Sequence, residues 1–109
     1  MAKQKMDSRA IGLDVGLSLM AWLTGAENLH YGLWDDIEPL AQNLGAAQAA
    51  YTDKLFCYLP DGPLRILDIG GGAGATAAKL IARGHKVDIV VPSELLAQWC
   101  RINAPEATV

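Results

Sequence analysis

The chain carries two hydrophobic patterns that change over near Pro60. Upstream, apolar residues recur every three or four positions, which is the period of one helix face; downstream, short apolar runs alternate with helical stretches. A first helix is predicted over about 9–24, where Ile11, Val15, Leu19, Trp22 and Leu23 keep helical spacing. Asp7 or Ser8 suits its N-cap and Gly25 its end. Gly12 and Gly16 weaken its interior, each by about 1 kcal/mol against alanine. A second helix is predicted over 37–59 from the stripe Ile37, Leu40, Leu44, Ala47, Tyr51, Leu55 and Tyr58. Asp35, Asp36 and Glu38 complement the positive end of its dipole, and Pro39 fits the first turn. The run Pro60-Asp61-Gly62-Pro63 is a turn that stops it.

Beyond that turn, 64–69 (Leu-Arg-Ile-Leu-Asp-Ile) has the length and apolar content of a buried strand. A glycine run, Gly70 to Gly74, leads into a helix predicted over 75–83, with Ala77, Leu80 and Ile81 inward and Gly84 as its C-terminal cap. A second strand is predicted over 86–91. Pro92 ends it, and Ser93 caps a last helix that runs to about Ile102, with Glu94 in its first turn. Ala107, Thr108 and Val109 can begin a third strand. Two strands joined by a helical crossover pair in parallel, with a right-handed connection. The fold class is therefore α/β: a partial parallel sheet of two to three strands preceded by two N-terminal helices, dividing into a helical part (1–60) with an aromatic loop and a strand–helix part (61–109).

Composition narrows the class. At 109 residues and 51% hydrophobic, the chain is one small folded domain and not a disordered one. Nine Lys and Arg against twelve Asp and Glu give a net charge of −3, which argues against nucleic acid as the principal partner. Two cysteines, Cys57 and Cys100, cannot build a disulfide framework or a cysteine-only metal site and read as buried thiols in a reducing compartment. Lys3 and Lys5 ahead of the apolar stretch 11–23 faintly imitate a signal peptide. Asp14 interrupts that stretch, however, no cleavage pattern follows, and a membrane span needs about 20 apolar residues. No stable membrane insertion and a cytoplasmic location are expected. Trp22, Phe56 and Trp99 fall on helical positions and are expected in the core, and Lys79, Arg83 and Lys86 on a solvated face.

The chemistry concentrates at Asp68-Ile69-Gly70-Gly71-Gly72-Ala73-Gly74. Glycines at a strand-to-helix junction allow positive φ and let a ligand approach the backbone, at the sheet edge where open parallel sheets bind ligands. The segment has the form Asp-x-Gly-x-Gly-x-Gly, and here the chain resembles the class I S-adenosylmethionine-dependent methyltransferases, whose first motif has this form. Gly70 to Ala75 also satisfies the dinucleotide pattern G-x-G-x-x-A. Asp68 separates the two: a carboxylate repels a pyrophosphate but attracts an ammonium or sulfonium group. The resemblance implies a Rossmann-like sheet, S-adenosyl-L-methionine as cofactor, and a role for Asp68, Gly70, Gly71, Gly72 and Gly74 in holding its methionine portion.

The second strand end lacks the acid that commonly holds ribose hydroxyls, since Asp88 lies too early; Ser93 is the nearest polar side chain and doubles as a helix cap. The branch similar to cyclopropane-fatty-acid synthases also lacks that acid. The loop His30-Tyr31-Gly32-Leu33-Trp34 resembles the segment that folds over the cofactor in small-molecule and lipid methyltransferases, so Tyr31 and Trp34 are candidate cofactor contacts through their aromatic faces. His30 is a candidate base, or a residue that only makes structural hydrogen bonds. The acceptor implied is a small molecule or lipid. The resemblance covers about 29–109, whereas a complete domain of that family has seven strands, so the chain is expected to be the N-terminal portion of such an enzyme, inactive alone and able to self-associate through an exposed sheet edge. Two other readings remain: an NAD(P)-binding oxidoreductase and a non-catalytic interaction module.

Overall fold

The computed structural model describes residues 6–25 and 28–109; Lys3 and Lys5 lie outside them. Along the chain run helix α1 (Ser8–Thr24), a single 3-10 turn (Ala41–Asn43), helix α2 (Leu44–Phe56), strand β1 (Arg65–Ile69), helix α3 (Ala75–Ala82), strand β2 (Lys86–Val90) and helix α4 (Glu94–Asn103). The architecture is mixed α/β. β1 and β2 pair in parallel, from Arg65 opposite Lys86 to Ile69 opposite Val90. The expected third strand is reduced to one parallel bridge, Asp88 to Thr108. β2 is the middle line of this arrangement. Its Lys86 N–H donates to the Leu64 carbonyl on one side and its Ile89 N–H to the Thr108 carbonyl on the other.

The sheet is covered on one face only. Ile66 and Asp68 of β1 share a face with Val87 and Ile89 of β2, because partners in register point the same way. Val87 and Ile89 are buried with Ala77 and Leu80 of α3, Phe56 of α2, Cys100 of α4 and Ala104. Burial of the larger of these, Val87, Ile89, Leu80 and Phe56, contributes about 1.5–3 kcal/mol each. The opposite face is bare: Leu67, Ile69 and Val90 are 59%, 76% and 54% exposed. With Leu64 and Gly70 bonded to β2, alternation turns the peptide groups of Arg65, Leu67 and Ile69 toward the outer edge. At the start of β1, Arg65 pairs with Asp88 at 3.0 Å. The Arg65 hydrogen bond, with a smaller one from Thr108, holds the Asp88 carboxyl below its ordinary range.

The helical part departs from its hydrophobic pattern in two places. α1 starts on Asp7, whose carboxylate accepts from the Arg9 and Ala10 N–H groups, and ends on Gly25 at φ 68°. Its expected stripe, Ile11, Val15, Leu19, Trp22 and Leu23, faces solvent instead, with Trp22 81% exposed. α1 is apolar on more than one side, and Leu17, four residues after the half-buried Leu13, meets Ala73 and Leu96. Trp99 is likewise exposed and not core. The second helix begins seven residues later than 37, because the residue before Pro39 is disfavoured in helical geometry and Leu40 is extended, its N–H donating back to the Glu38 carbonyl. Its buried face is Ala47, Gln48, Thr52 and Phe56, one position round from the expected stripe, so that Tyr51, Leu55 and Tyr58 are exposed. Cys57 is exposed, contrary to the expectation for both thiols, and Cys100 is buried. Arg83 lies 4.5 Å above the Phe56 ring and, like Lys79, reaches Asp53.

α4 is seated by its ends. Ser93 Oγ accepts from the Leu96 N–H and donates to Asp14 Oδ1 at 2.8 Å, tying the helix to α1. Gly74, the N-cap of α3 at φ 89°, stands so close to α4 that a Cβ would come within 3.0 Å of Cys100 Cα. Gly74→Ala should therefore cost about 2 kcal/mol or more, from backbone strain and contact together. Gly62→Ala, at φ 93° with nothing within 4 Å, should show the strain alone, about 1 kcal/mol. Urea midpoints of the two variants check this; equal losses would mean that the α3–α4 contact is soft.

Candidate functional site

β1 delivers Asp68 to the carboxyl end of the sheet, and the chain then turns through three glycines with left-handed backbone, Gly70, Gly72 and Gly74. The loop is fixed from behind. The Gly70 N–H donates to the Val90 carbonyl at 2.8 Å, and the Gly74 N–H to the Gly71 carbonyl at 3.0 Å. Cys100 Sγ–H donates to the Gly72 carbonyl and Asn103 Nδ2–H to the Ala73 carbonyl. Three successive carbonyls, Gly71 to Ala73, are thus engaged within the protein. Burial pushes the Cys100 thiol up, and the Asp68 charge adds to this, so it remains a donor.

The loop borders a cleft of about 240 Å³ lined by Asn28, Leu29 and His30, by Tyr51, Thr52 and Leu55 of α2, and by Asp68, Gly70, Gly71, Gly72 and Thr76. Asp68 is its distinctive group. The carboxylate Oδ2 is buried without a hydrogen-bond partner, and desolvation raises the Asp68 carboxyl above its ordinary value of 3.8. Gly71 lets the loop close directly onto this carboxylate. A Cβ there would stand 2.6 Å from Ile89 Cγ2 and 2.9 Å from Asp68 Oδ2. An anionic oxygen lacking protein donors, next to peptide without side chains, is complementary to a ligand that carries a cationic donor.

The segment 28–33 lies along α2. The Leu33 N–H donates to the Ala47 carbonyl at 2.8 Å. Gln48 Nε2 donates to the Asn28 and His30 carbonyls at 3.1 and 2.7 Å. His30 Nδ1–H donates to the Tyr31 carbonyl at 2.7 Å, which leaves Nε2 toward Thr52 Oγ1 at 3.4 Å. The imidazole is tilted 34° against the Tyr51 ring, centroids 5.4 Å apart.

The candidate residues therefore divide. Asp68, Gly70, Gly71 and Gly72 come together in the cleft, and His30 joins them. Gly74 is a packing position against α4. Ser93 caps α4 and bonds Asp14, away from the cleft lining. Tyr31 is 89% exposed, and neither it nor Trp34 lines the cleft; Trp34 Nε1 lies by Gly32 instead. Hydrophobic patterning passed over Thr52 and Gln48, polar residues on the buried face of α2, and placed Tyr51 and Leu55 in the core when they line the cleft. A separate apolar cavity of about 80 Å³ between α1 and α4, lined by Leu17, Ser18, Ala21, Ala73, Trp99 and Asn103, contains no charged group. No group of three or more metal-ligating side chains occurs among the described residues, and none of their helices is long and apolar enough to cross a membrane. Compared with protein-family models and with curated proteins, the chain matches none.

The raised Asp68 carboxyl carries a stability consequence. The native state binds its proton more tightly than the unfolded chain does. This group's contribution is therefore most favourable below the unfolded value and is lost as pH rises through the native one. Asp68→Asn should stabilise the ligand-free protein at neutral pH. The gain should shrink to nothing as pH falls below the ordinary value of 3.8. Urea midpoints across that range check it, and a variant less stable than wild type at neutral pH would contradict it.

Proposed function

We propose that this chain is the cofactor-binding portion of an S-adenosylmethionine-dependent methyltransferase that acts on a small molecule or lipid. The observation that carries the reading is Asp68, a half-buried carboxylate with one oxygen left without a protein donor, lining a cleft with Gly70, Gly71 and Gly72. The residues present fit the amino-acid end of that cofactor. Asp68 would accept from its ammonium, the bare peptide of Gly71 lies against the carboxylate, and Leu29, Tyr51 and Leu55 line the same cleft. The cleft, at about 240 Å³, is below the roughly 300–1,000 Å³ of whole small-molecule sites, which suits one end of a larger ligand. The order β1–α3–β2–α4 followed by the Thr108 bridge supports reading the sheet as the start of a Rossmann-like one.

Bound there, the cofactor supplies an activated methyl group, and the protein's part is alignment of donor and acceptor. Asp68 fixes the tail by charge, the glycine loop fixes it by close approach, and α4 keeps the loop from moving through Cys100 and Asn103. Tyr31, Trp34 and Ser93 have no part in this account, because they do not border the cleft.

Calorimetric titration with S-adenosylhomocysteine should give saturable heat, and titration with NADH none. Asp68→Asn should weaken binding about tenfold or more through loss of a charged hydrogen bond. Gly72→Trp, which puts a bulky side chain on a left-handed position (φ 56°) of the loop that lines the cleft, should abolish binding. Saturable binding of NADH alone would assign the chain to dinucleotide-dependent enzymes. Binding of neither would leave an interaction module, with the bare face at Leu67, Ile69 and Val90 as its surface.

A further inference from the structure

Gln48 stands out among the residues around the cleft because it is buried, polar and outside the cleft itself. It is 1% exposed, on the inner face of α2. Its carboxamide nitrogen meets two backbone carbonyls, Asn28 and His30, so the end facing that segment can only be the donor end. Its carbonyl, Oε1, is buried with no partner. If α2 needed only a packed inner face here, an apolar side chain would fill the position without an orphaned acceptor. The polar side chain instead does something an apolar one cannot: it fixes the path of the segment that contributes Asn28, Leu29 and His30 to the cleft.

We infer that Gln48 is a positioning residue for the ligand site, locking segment 28–33 onto α2 so that the cleft beside Asp68 keeps its shape before any ligand arrives. Two further contacts point the same way. The Leu33 N–H donates to the Ala47 carbonyl, and Gly32 lies so close to α2 that a Cβ there would stand 2.5 Å from Ala47 Cβ. The segment is thus pinned at both ends of a short stretch, and His30 between them is held again by its own bond to Tyr31 and by the Tyr51 ring. A ligand that enters meets a wall already ordered, and does not have to order it at the expense of affinity.

The inference rests on the cofactor reading above, and the test separates the two. Wild type, Gln48→Met, Gln48→Glu and Gly32→Ala are titrated with S-adenosylhomocysteine, with hydrogen exchange at the Leu33 amide followed in parallel. Gln48→Met keeps the volume but loses both donors; it should raise Kd about tenfold and speed Leu33 exchange while the β1–β2 amides stay protected. Gln48→Glu puts a carboxylate against two carbonyls at neutral pH. Its Kd, taken as a ratio to wild type at each pH so that Asp68, His30 and Tyr51 cancel, should fall back toward wild type on acidification, when the protonated side chain regains one donor. Gly32→Ala displaces the segment without touching Gln48 and should weaken binding to a similar degree, which keeps the test decisive should the Gln48 variants fail to fold. Wild type failing to bind S-adenosylhomocysteine would overturn the cofactor reading and this one with it. Wild type binding while the folded variants stay within twofold of its Kd would overturn this inference alone.

Discussion

The hydrogen bond from the Gly70 N–H to the Val90 carbonyl is where the sheet stops and the site begins. It is the last rung between β1 and β2, and it fixes the residue at which the chain must leave extended geometry. A left-handed glycine turn follows at once. Because the strands are parallel and in register, that rung also places Asp68 opposite Ile89 on the covered face, under the helices. A carboxylate in that position is desolvated by the same packing that buries Val87 and Ile89. The core and the cleft are consequences of one pairing: a slip of a single residue would carry Asp68 to the bare face and Leu67 into the core.

The side chains that surround the glycine loop act through hydrogen bonding more than through bulk. Cys100 and Asn103 hold two of its carbonyls from α4, and α4 is itself held at its first turn by Ser93. On the other side of the cleft, Gln48 holds backbone and leaves its own oxygen unsatisfied. Two buried acceptors without partners, Gln48 Oε1 and Asp68 Oδ2, therefore lie in a small protein that has few kilocalories to lose. Local disagreement with the rule that buried polar groups are paired is common where a structure serves a ligand and not only its own stability.

The strand–helix half was legible in the sequence almost to the residue. β1, α3, β2 and α4 fall within about one residue of the lengths set by their apolar runs and by Gly84, Pro92 and Ser93, because glycine, proline and capping residues act locally. The helical half was less so. α1 is apolar on several sides, so spacing alone did not decide whether Leu17 or Trp22 meets the body. In α2 the inner face includes Gln48 and Thr52, which hydropathy assigns to solvent; only the tertiary partners of those side chains, the segment 28–30, account for their burial. Within the glycine loop, Asp68 and the positive-φ glycines were visible as a motif. Gly71 belongs to the same glycine run, but the reason for it is not legible there: its demand is for close packing against Ile89 and Asp68 and not for a backbone angle. Tyr31 and Trp34 drew notice as aromatics, but the loop's contribution to the cleft comes from the residues just ahead of them.

The bond between Ser93 and Asp14 joins residues 79 positions apart, across most of the chain. Closing a loop of that length costs more chain entropy than any of the local turns, and the gain on the α1 side is small, because Leu17 is its one fully buried residue. The core around Phe56, Leu80 and Val87 is built from α2, the two strands and the helix between them without any residue of α1. The outside anchor of the first turn of α4 is therefore supplied by α1, so a helix remote in sequence helps to seat the helix that grips the glycine loop through Cys100 and Asn103.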